Sequence, residues 1–276
     1  MGSRVPPERR GMTNHDHRIA FVHIPRTAGT TFGAYLDGLY AGRDVAKFYA
    51  DDAHPVVNEK LDAFRRLEAG EKASYALLRG HFVYGFDGGE SGCRYVTLLR
   101  EPVARLVSYY FYALKEPMNY LHTYLLQRRI GLESFLMSDA SIDLDNYQVR
   151  AVSGATFGSS RERVSGAHLA LAKRNLVERF AAFGLTERFD ASMRRFARQF
   201  GWAPAPRERR NEGAYGREVE LGDACRAYVE EKNRFDIELY RFAQAHFESA
   251  AASGDDGRAD RSADRPADHA VHTTRS

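Results

Sequence analysis

The sequence predicts an α/β fold, a single domain whose central parallel sheet is flanked by helices. Two observations carry that expectation. Apolar runs of strand length alternate along the chain with longer stretches at helical period. Those short runs are also apolar at nearly every position, as strands are when helices cover both faces of a sheet. With 43% hydrophobic and 12% aromatic residues in 276, there is enough apolar material for one sizeable core.

The elements follow in order. Ile19 to Ile24 is an apolar run that ends at Pro25, and a helix is expected from about Thr30 to Tyr40. Tyr75 to Leu78 and Tyr95 to Leu99 are two further buried strands. Pro102 suits the first turn of a helix, and Val103, Leu106, Val107, Tyr110, Phe111 and Leu114 then recur at helical spacing. Phe180 to Leu185 reads as a fourth strand and leads to a helix from about Asp190 to Phe200. Long helical patterns cover 119–137, 166–179 and 220–247. In the last of these Leu221, Cys225, Tyr228 and Val229 share one stripe, so Cys225 is expected to be a buried thiol. Residues 1–17 show no apolar periodicity and are expected to be a disordered leader. Residues 249–276 are expected to be a disordered tail, since 250–276 hold five Asp and four Arg but a single large aliphatic residue, Val271. His269 and His272 there are expected to be solvated rather than metal-bound. The domain is assigned to 18–248.

Charge and composition exclude several classes. Lys plus Arg is 40 and Asp plus Glu 37, a balance of +3 that does not fit a protein coating nucleic acid. Two cysteines, Cys93 and Cys225, are too few for a disulfide framework. No apolar run reaches the roughly 18 residues of a membrane span, and the N-terminus lacks the apolar centre of a signal peptide. The expectation is a cytoplasmic protein without membrane insertion or nucleic-acid partner. Of the 40 basic residues 34 are arginine, a bias that a GC-rich genome also produces.

Three segments carry chemistry. In Phe21-Val-His-Ile-Pro-Arg-Thr-Ala-Gly-Thr-Thr31, a strand enters a tight turn at Gly29 and then a helix. Free N–H groups at that corner, the helix dipole, Arg26 and the hydroxyls of Thr27, Thr30 and Thr31 make an anion cradle. A plain threonine-capped corner has the same local pattern. The Walker pattern G-x-x-x-x-G-K-[ST] is absent, and Tyr95 to Leu99 ends in Arg100 rather than in an acidic Mg²⁺ ligand, which weighs against a P-loop kinase. In Leu98-Leu-Arg-Glu-Pro-Val-Ala-Arg-Leu-Val-Ser-Tyr-Tyr110, Arg100 stands at a strand's carboxyl end, where open α/β sheets bind ligands. Ser108 follows on the polar helix face it shares with Glu101, Arg105 and Tyr112. Arg100 and Ser108 are thus candidates for a second phosphate, away from the first cradle. An exposed helix face is the plainer reading. In Leu78-Arg-Gly-His-Phe-Val-Tyr-Gly85, His81 follows a strand at the same sheet edge and is a candidate general base.

Together these segments resemble the sulfotransferases that use 3′-phosphoadenosine 5′-phosphosulfate (PAPS), in the branch related to carbohydrate O-sulfotransferases and their bacterial relatives. Asp145-Asn-Tyr-Gln-Val-Arg150 with Ser153-Gly154, Phe183-Gly-Leu-Thr-Glu187 and Asp236-Ile-Glu-Leu-Tyr240 are similar as well. The resemblance implies a P-loop-like strand-loop-helix holding the 5′-phosphosulfate through Arg26, Thr27, Ala28, Gly29, Thr30 and Thr31. It implies a 3′-phosphate site at Arg100 and Ser108, and His81 as the catalytic base beside Arg26. No metal is implied, and PAP is the product. Arg26 stands where such relatives usually have lysine, and Arg79 stands where some glycan-modifying relatives carry a second histidine. The acceptor is expected to be a saccharide or another small hydroxylated metabolite. Tyr84 and Tyr112 are the leading candidates to touch it, from a group that includes Phe86, Tyr109, Tyr120 and Tyr124. Arg128, Arg129, Arg161 and Arg163 are candidates for an anionic acceptor, and residues 207–218 for a loop closing over the nucleotide. The competing functions are a nucleotide-dependent kinase and a non-catalytic nucleotide- or glycan-binding module.

Overall fold

A computed structural model describes residues 17–50, 57–155, 162–204 and 219–252. Residues 1–16 and 253–276 of the expected leader and tail, Arg161, and the proposed closing loop at 207–218 lie outside the described residues. Five strands form one sheet: β1 (Ile19–Val22), β2 (Val45–Phe48), β3 (Leu77–Gly80), β4 (Arg94–Leu99) and β5 (Phe180–Leu185). Their order is β2-β3-β1-β4-β5 and every pairing is parallel. The helices are α1 (Gly29–Leu39), α2 (Val57–Arg65), α3 (Ala69–Ser74), α4 (Pro102–Lys115), α5 (His122–Gln127) and α6 (Leu132–Leu136). They continue with α7 (Tyr147–Ser153), α8 (Gly166–Glu178), α9 (Phe189–Phe200), α10 (Asp223–Lys232) and α11 (Arg234–Ala252).

The all-parallel sheet explains the unbroken apolar runs. Successive side chains of β1 point to opposite faces, and all four are fully buried. Ile19 and Phe21 join Phe32 and Leu36 of α1 and Met193 and Phe196 of α9 on one face. Ala20 and Val22 meet Val149 and Val152 of α7, Leu169 and Leu176 of α8, and Leu239 of α11 on the other. A third cluster joins α4, α5, α6 and α10, with Cys225 and Val229 buried in it and Tyr228 left exposed. Among the described residues no helix is long and apolar enough to cross a membrane.

Three expectations change. The sheet has a fifth strand, β2, whose Val-Ala-Lys-Phe run is half exposed at the edge and carries little apolar signal. The 119–137 pattern is two helices. At their break Arg129 is left-handed (φ 51°), with Arg129 N–H bonded to Leu126 O and Ile130 N–H to Leu125 O, a backbone closure that ends a helix. The 220–247 pattern also divides, at Asn233, whose amide donates to Leu144 O and to Val229 O.

Beyond β1 the chain moves through β2 and β3 on one side and then crosses to β4 and β5 on the other. The crevice above the carboxyl ends of β1 and β4 is therefore the place where such a sheet binds ligands. The segments after β1, β3 and β4 all open there.

Candidate active site

The segment after β1 is a strained turn. Arg26 (φ 69°) and Ala28 (φ 61°) are both left-handed and flank Thr27. Conformations of this kind cost about 1–3 kcal/mol each for residues with a Cβ, and they turn consecutive N–H groups to one side. Thr27 is fully buried and its hydroxyl donates to Ile24 O at 2.8 Å, so the hydroxyl closes the turn and does not reach into the crevice. Gly29 is not the residue that makes the turn. It opens α1, and glycine is needed because a Cβ there would lie 2.0 Å from Cδ2 and 2.1 Å from Nε2 of His23.

Helix α1 begins without a side-chain cap and with no acidic residue in its first turn. Its first intrahelical bond runs from Phe32 N–H to Ala28 O, so the helix itself supplies no carbonyl for the N–H groups before Phe32. Helix α4 begins differently. The Glu101 carboxylate accepts from Val103 N–H and Ala104 N–H, so that terminus is occupied by the protein's own anion. Of these two helix starts, the first has no such anion from its own N-cap residue, and an uncapped helix start is a ready anion site.

Arg100 stands where β4 ends, and the backbone of residues 99–101 is held by three side chains. Thr186 Oγ1 donates to Leu99 O at 3.0 Å. The Gln148 side chain accepts from Arg100 N–H at 3.0 Å and donates to Arg100 O at 2.8 Å. Glu187 accepts from Glu101 N–H, and its other oxygen accepts from Tyr240 O–H. Gln148 is itself fixed, since Asp236 accepts from the N–H groups of Gln148 and Val149 at the start of α7. Asn146 in turn accepts from Phe235 N–H and Asp236 N–H. The three outlying segments noted in the sequence thus converge on one junction, residues 99–101. Gln148→Leu removes both clasps on Arg100 and strands two polar backbone groups. It is expected to destabilise the fold by about 2–4 kcal/mol; urea unfolding checks this, and a change below about 0.5 kcal/mol would refute the clasp.

The Arg100 side chain donates to Arg26 O at 3.0 Å. It forms no ion pair among the described residues, although burial pulls its guanidinium down from the ordinary range against the pull of Glu187 and Glu101. A half-buried cation without a carboxylate partner is a ready anion ligand. The Arg26 guanidinium carbon lies over the Tyr112 ring, 4.6 Å from its centroid, and Nε donates to Ser108 Oγ at 3.1 Å. Ser108 accepts from Arg26 there, so its own hydrogen remains to be donated. Ser108 and Arg105 do not sit on an exposed polar face, for Ser108 is buried and Arg105 fully so, bonded to Asp143 O. The two candidate anion sites are therefore contiguous and not separate, with Arg26 bridging them.

His81 follows β3. Gly80 (φ 155°) leaves room for Phe48 O, which a Cβ would approach to 2.3 Å, and His81 N–H donates to that same oxygen. The His81 ring turns toward β1, and its Nδ1–H donates to His23 O at 2.7 Å. That bond places the lone pair on Nε2. Burial holds the imidazole below its ordinary value of 6.5, while the bond to His23 O and the Asp143 carboxylate act in the opposite direction. The ring is thus oriented with its acceptor nitrogen, Nε2, away from His23 O, and burial favours its neutral form.

The remaining candidates divide. Tyr112 is at the site, beneath Arg26. Tyr84 is not: its ring packs on Tyr95 and Phe180, at the starting ends of β4 and β5, so it belongs to the core side of the sheet. Phe86 and Tyr109 are buried. Tyr120 and Tyr124 are exposed, and Tyr120 O–H donates to Ser141 Oγ at 2.6 Å. Arg128, Arg129 and Arg163 are exposed. Arg79 is committed to Asp37 through two bonds, Nε to Oδ1 at 2.8 Å and Nη2 to Oδ2 at 2.6 Å. The residues not singled out from sequence are His23, Tyr49 and Gln148. His23 and Gln148 lay inside quoted segments, but only the fold shows what they touch.

No curated protein matches the chain significantly. Residues 9–142 match the model of a family described as the sulfotransferase family. The match spans the cradle after β1, His81, Arg100 and Ser108, so the part of the chain that holds the candidate site is similar to the sulfotransferase family.

Proposed function

We propose that the chain transfers a sulfuryl group from PAPS to a hydroxyl of a saccharide or another small hydroxylated acceptor, with His81 as general base and PAP as product. The match of residues 9–142 to the sulfotransferase family supports sulfuryl transfer in general. The observation that carries the PAPS assignment is the pairing of a helix start that has no side-chain cap from its own N-cap residue with an arginine that forms no ion pair among the described residues, joined by Arg26. One anion belongs at the N–H groups of the α1 start, beside Arg26, Ala28, Gly29, Thr30 and Thr31, with Thr27 contributing backbone only. A second belongs between Arg100 and the Ser108 hydroxyl. A nucleotide with phosphates at both its 5′ and 3′ positions fits that pair, whereas a nucleoside triphosphate carries all its phosphates at the 5′ position and has no second anion for Arg100.

The chemistry of the residues follows. His81 Nε2 takes the proton from the acceptor hydroxyl as its oxygen forms a bond to sulfur. The bond between sulfur and the 5′-phosphate oxygen breaks, and its electron pair leaves with that oxygen. Arg26 and the N–H groups of α1 stabilise the negative charge gathering there, an arrangement that needs no reorganisation during the reaction. The test is a screen of hydroxylated acceptors with ³⁵S-labelled PAPS, products being identified by mass spectrometry. Label recovered as a sulfate ester supports the proposal. PAP binding with no transfer across the panel would favour a non-catalytic module.

A further inference from the structure

The site holds a second imidazole. The His23 and His81 ring centroids are 4.7 Å apart. His23 lies against the first turn of α1, with its Cδ2–Nε2 edge in the space a Cβ of Gly29 would fill. One turn on, Gly33 makes room for Arg79, whose Nη1 is 3.0 Å from where its Cβ would stand. A further turn on, Asp37 binds Arg79 bidentately. Residues 29, 33 and 37 recur every four positions, so they line one face of α1. That face carries a chain of contacts from Asp37 through Arg79 and Tyr49 to His23.

The chain of contacts has a direction. Arg79 Nη1 donates to the Tyr49 hydroxyl oxygen at 3.1 Å, and a guanidinium can only donate. His23 Nδ1 is the other partner of that hydroxyl, at 2.9 Å. Among the described residues His23 Nδ1 is the one acceptor within reach of the phenol's hydrogen, and a bond given to it places the imidazole hydrogen on Nε2, at the edge facing α1. Burial first, and then the neighbouring His81, Arg79 and Arg26, hold this imidazole well below its ordinary value. His23 is consequently neutral, and a donor rather than a base. Of the two rings, His81 is the one that takes up a proton.

We propose that His23 is a second catalytic residue, donating from Nε2–H to a sulfonyl oxygen of the group in transfer, with Asp37, Arg79 and Tyr49 as the positioning residues that set its tautomer. In-line transfer puts sulfur between the acceptor oxygen, at His81, and the leaving phosphate, at the start of α1. His23 borders both, so its N–H faces the atoms between them. This assignment rests on the PAPS reading above.

The test uses the full chain and measures PAP affinity by calorimetry and PAPS-dependent turnover side by side. His23→Ala is expected to lower turnover about 30- to 100-fold, on the scale of losing one preorganised donor, with PAP affinity within about threefold of wild type. His23→Gln, whose amide nitrogen reaches the Nε2 position, is expected to recover most of the rate. His23→Asn, which reaches only the Nδ1 position, is expected to stay slow. Tyr49→Phe is expected to lower turnover with PAP affinity kept, since the tautomer is then no longer set. Turnover of His23→Ala within about threefold of wild type would overturn the assignment. So would equal, parallel losses of PAP affinity and rate in all three His23 variants, which mark a purely structural role. Absence of PAP binding by the wild-type chain would overturn the PAPS reading itself, and with it the assignment.

Discussion

Replacing His81 by alanine is expected to lower turnover about 10²- to 10⁴-fold while PAP affinity stays within about threefold of wild type. The loss corresponds to about 2.7–5.4 kcal/mol of transition-state stabilisation. The separation of rate from affinity follows from position: His81 is fixed by backbone oxygens at the ends of β1 and β2, not by the residues assigned to the phosphates. His81→Asn is the sharper variant, because its amide nitrogen still donates to His23 O while the proton acceptor is gone. The wild-type pH profile carries the same claim. The imidazole of the free protein is held below 6.5 by burial, so the base stays deprotonated as pH falls from 8 toward 6.5. The acid limb of kcat/KM for PAPS is therefore expected below pH 6.5. Near-wild-type turnover in His81→Ala, or a limb at or above pH 6.5, would remove His81 from the role of base.

Arg100→Ala is expected to weaken PAP binding about 10- to 100-fold, the range for losing a charge-assisted hydrogen bond. Its affinity for 5′-AMP is expected to change by less than about threefold, because AMP has a hydroxyl and no phosphate at its 3′ position. Ser108→Ala is expected to act in the same direction with a smaller effect. Calorimetric titration of each variant with both nucleotides checks this. The control matters because Arg100 also holds Arg26 O. An equal loss for PAP and AMP would mean that Arg100 acts through the turn after β1 and not on a 3′-phosphate.

The strands β1, β3, β4 and β5 were legible because parallel strands covered on both faces must be apolar at every position. The edge strand β2 was not, since half exposure leaves Lys47 and a weak pattern. Helical periodicity located α4, α8 and α9 well. It ran through the breaks at Arg129 and Asn233 because these are made by backbone closure and side-chain capping, which apolar spacing does not report. His81, Arg26, Arg100 and Ser108 were readable as candidates because each lies within a few residues of a strand end or a helix start. Their contiguity was not readable, since the Arg26 to Ser108 bond joins residues 82 apart. The same limit applies to Gln148, 48 residues from the arginine it holds, and to the tautomer of His23, which is set by a tyrosine on the poorly marked edge of the sheet. Tyr84 shows the converse error. It lies three residues from His81 in sequence, yet the chain turns back and its ring packs at the other end of the sheet.

The central claim is that two adjoining anion sites, one at the start of α1 and one at Arg100, are built for a single nucleotide with 5′- and 3′-phosphates. Titration of the wild-type chain with PAP, 5′-AMP and Mg·ATP measures this most directly. The expected result is PAP binding at least about tenfold tighter than AMP, unchanged when Mg²⁺ is withheld. Tight binding of Mg·ATP, with PAP no better than AMP, would contradict the account.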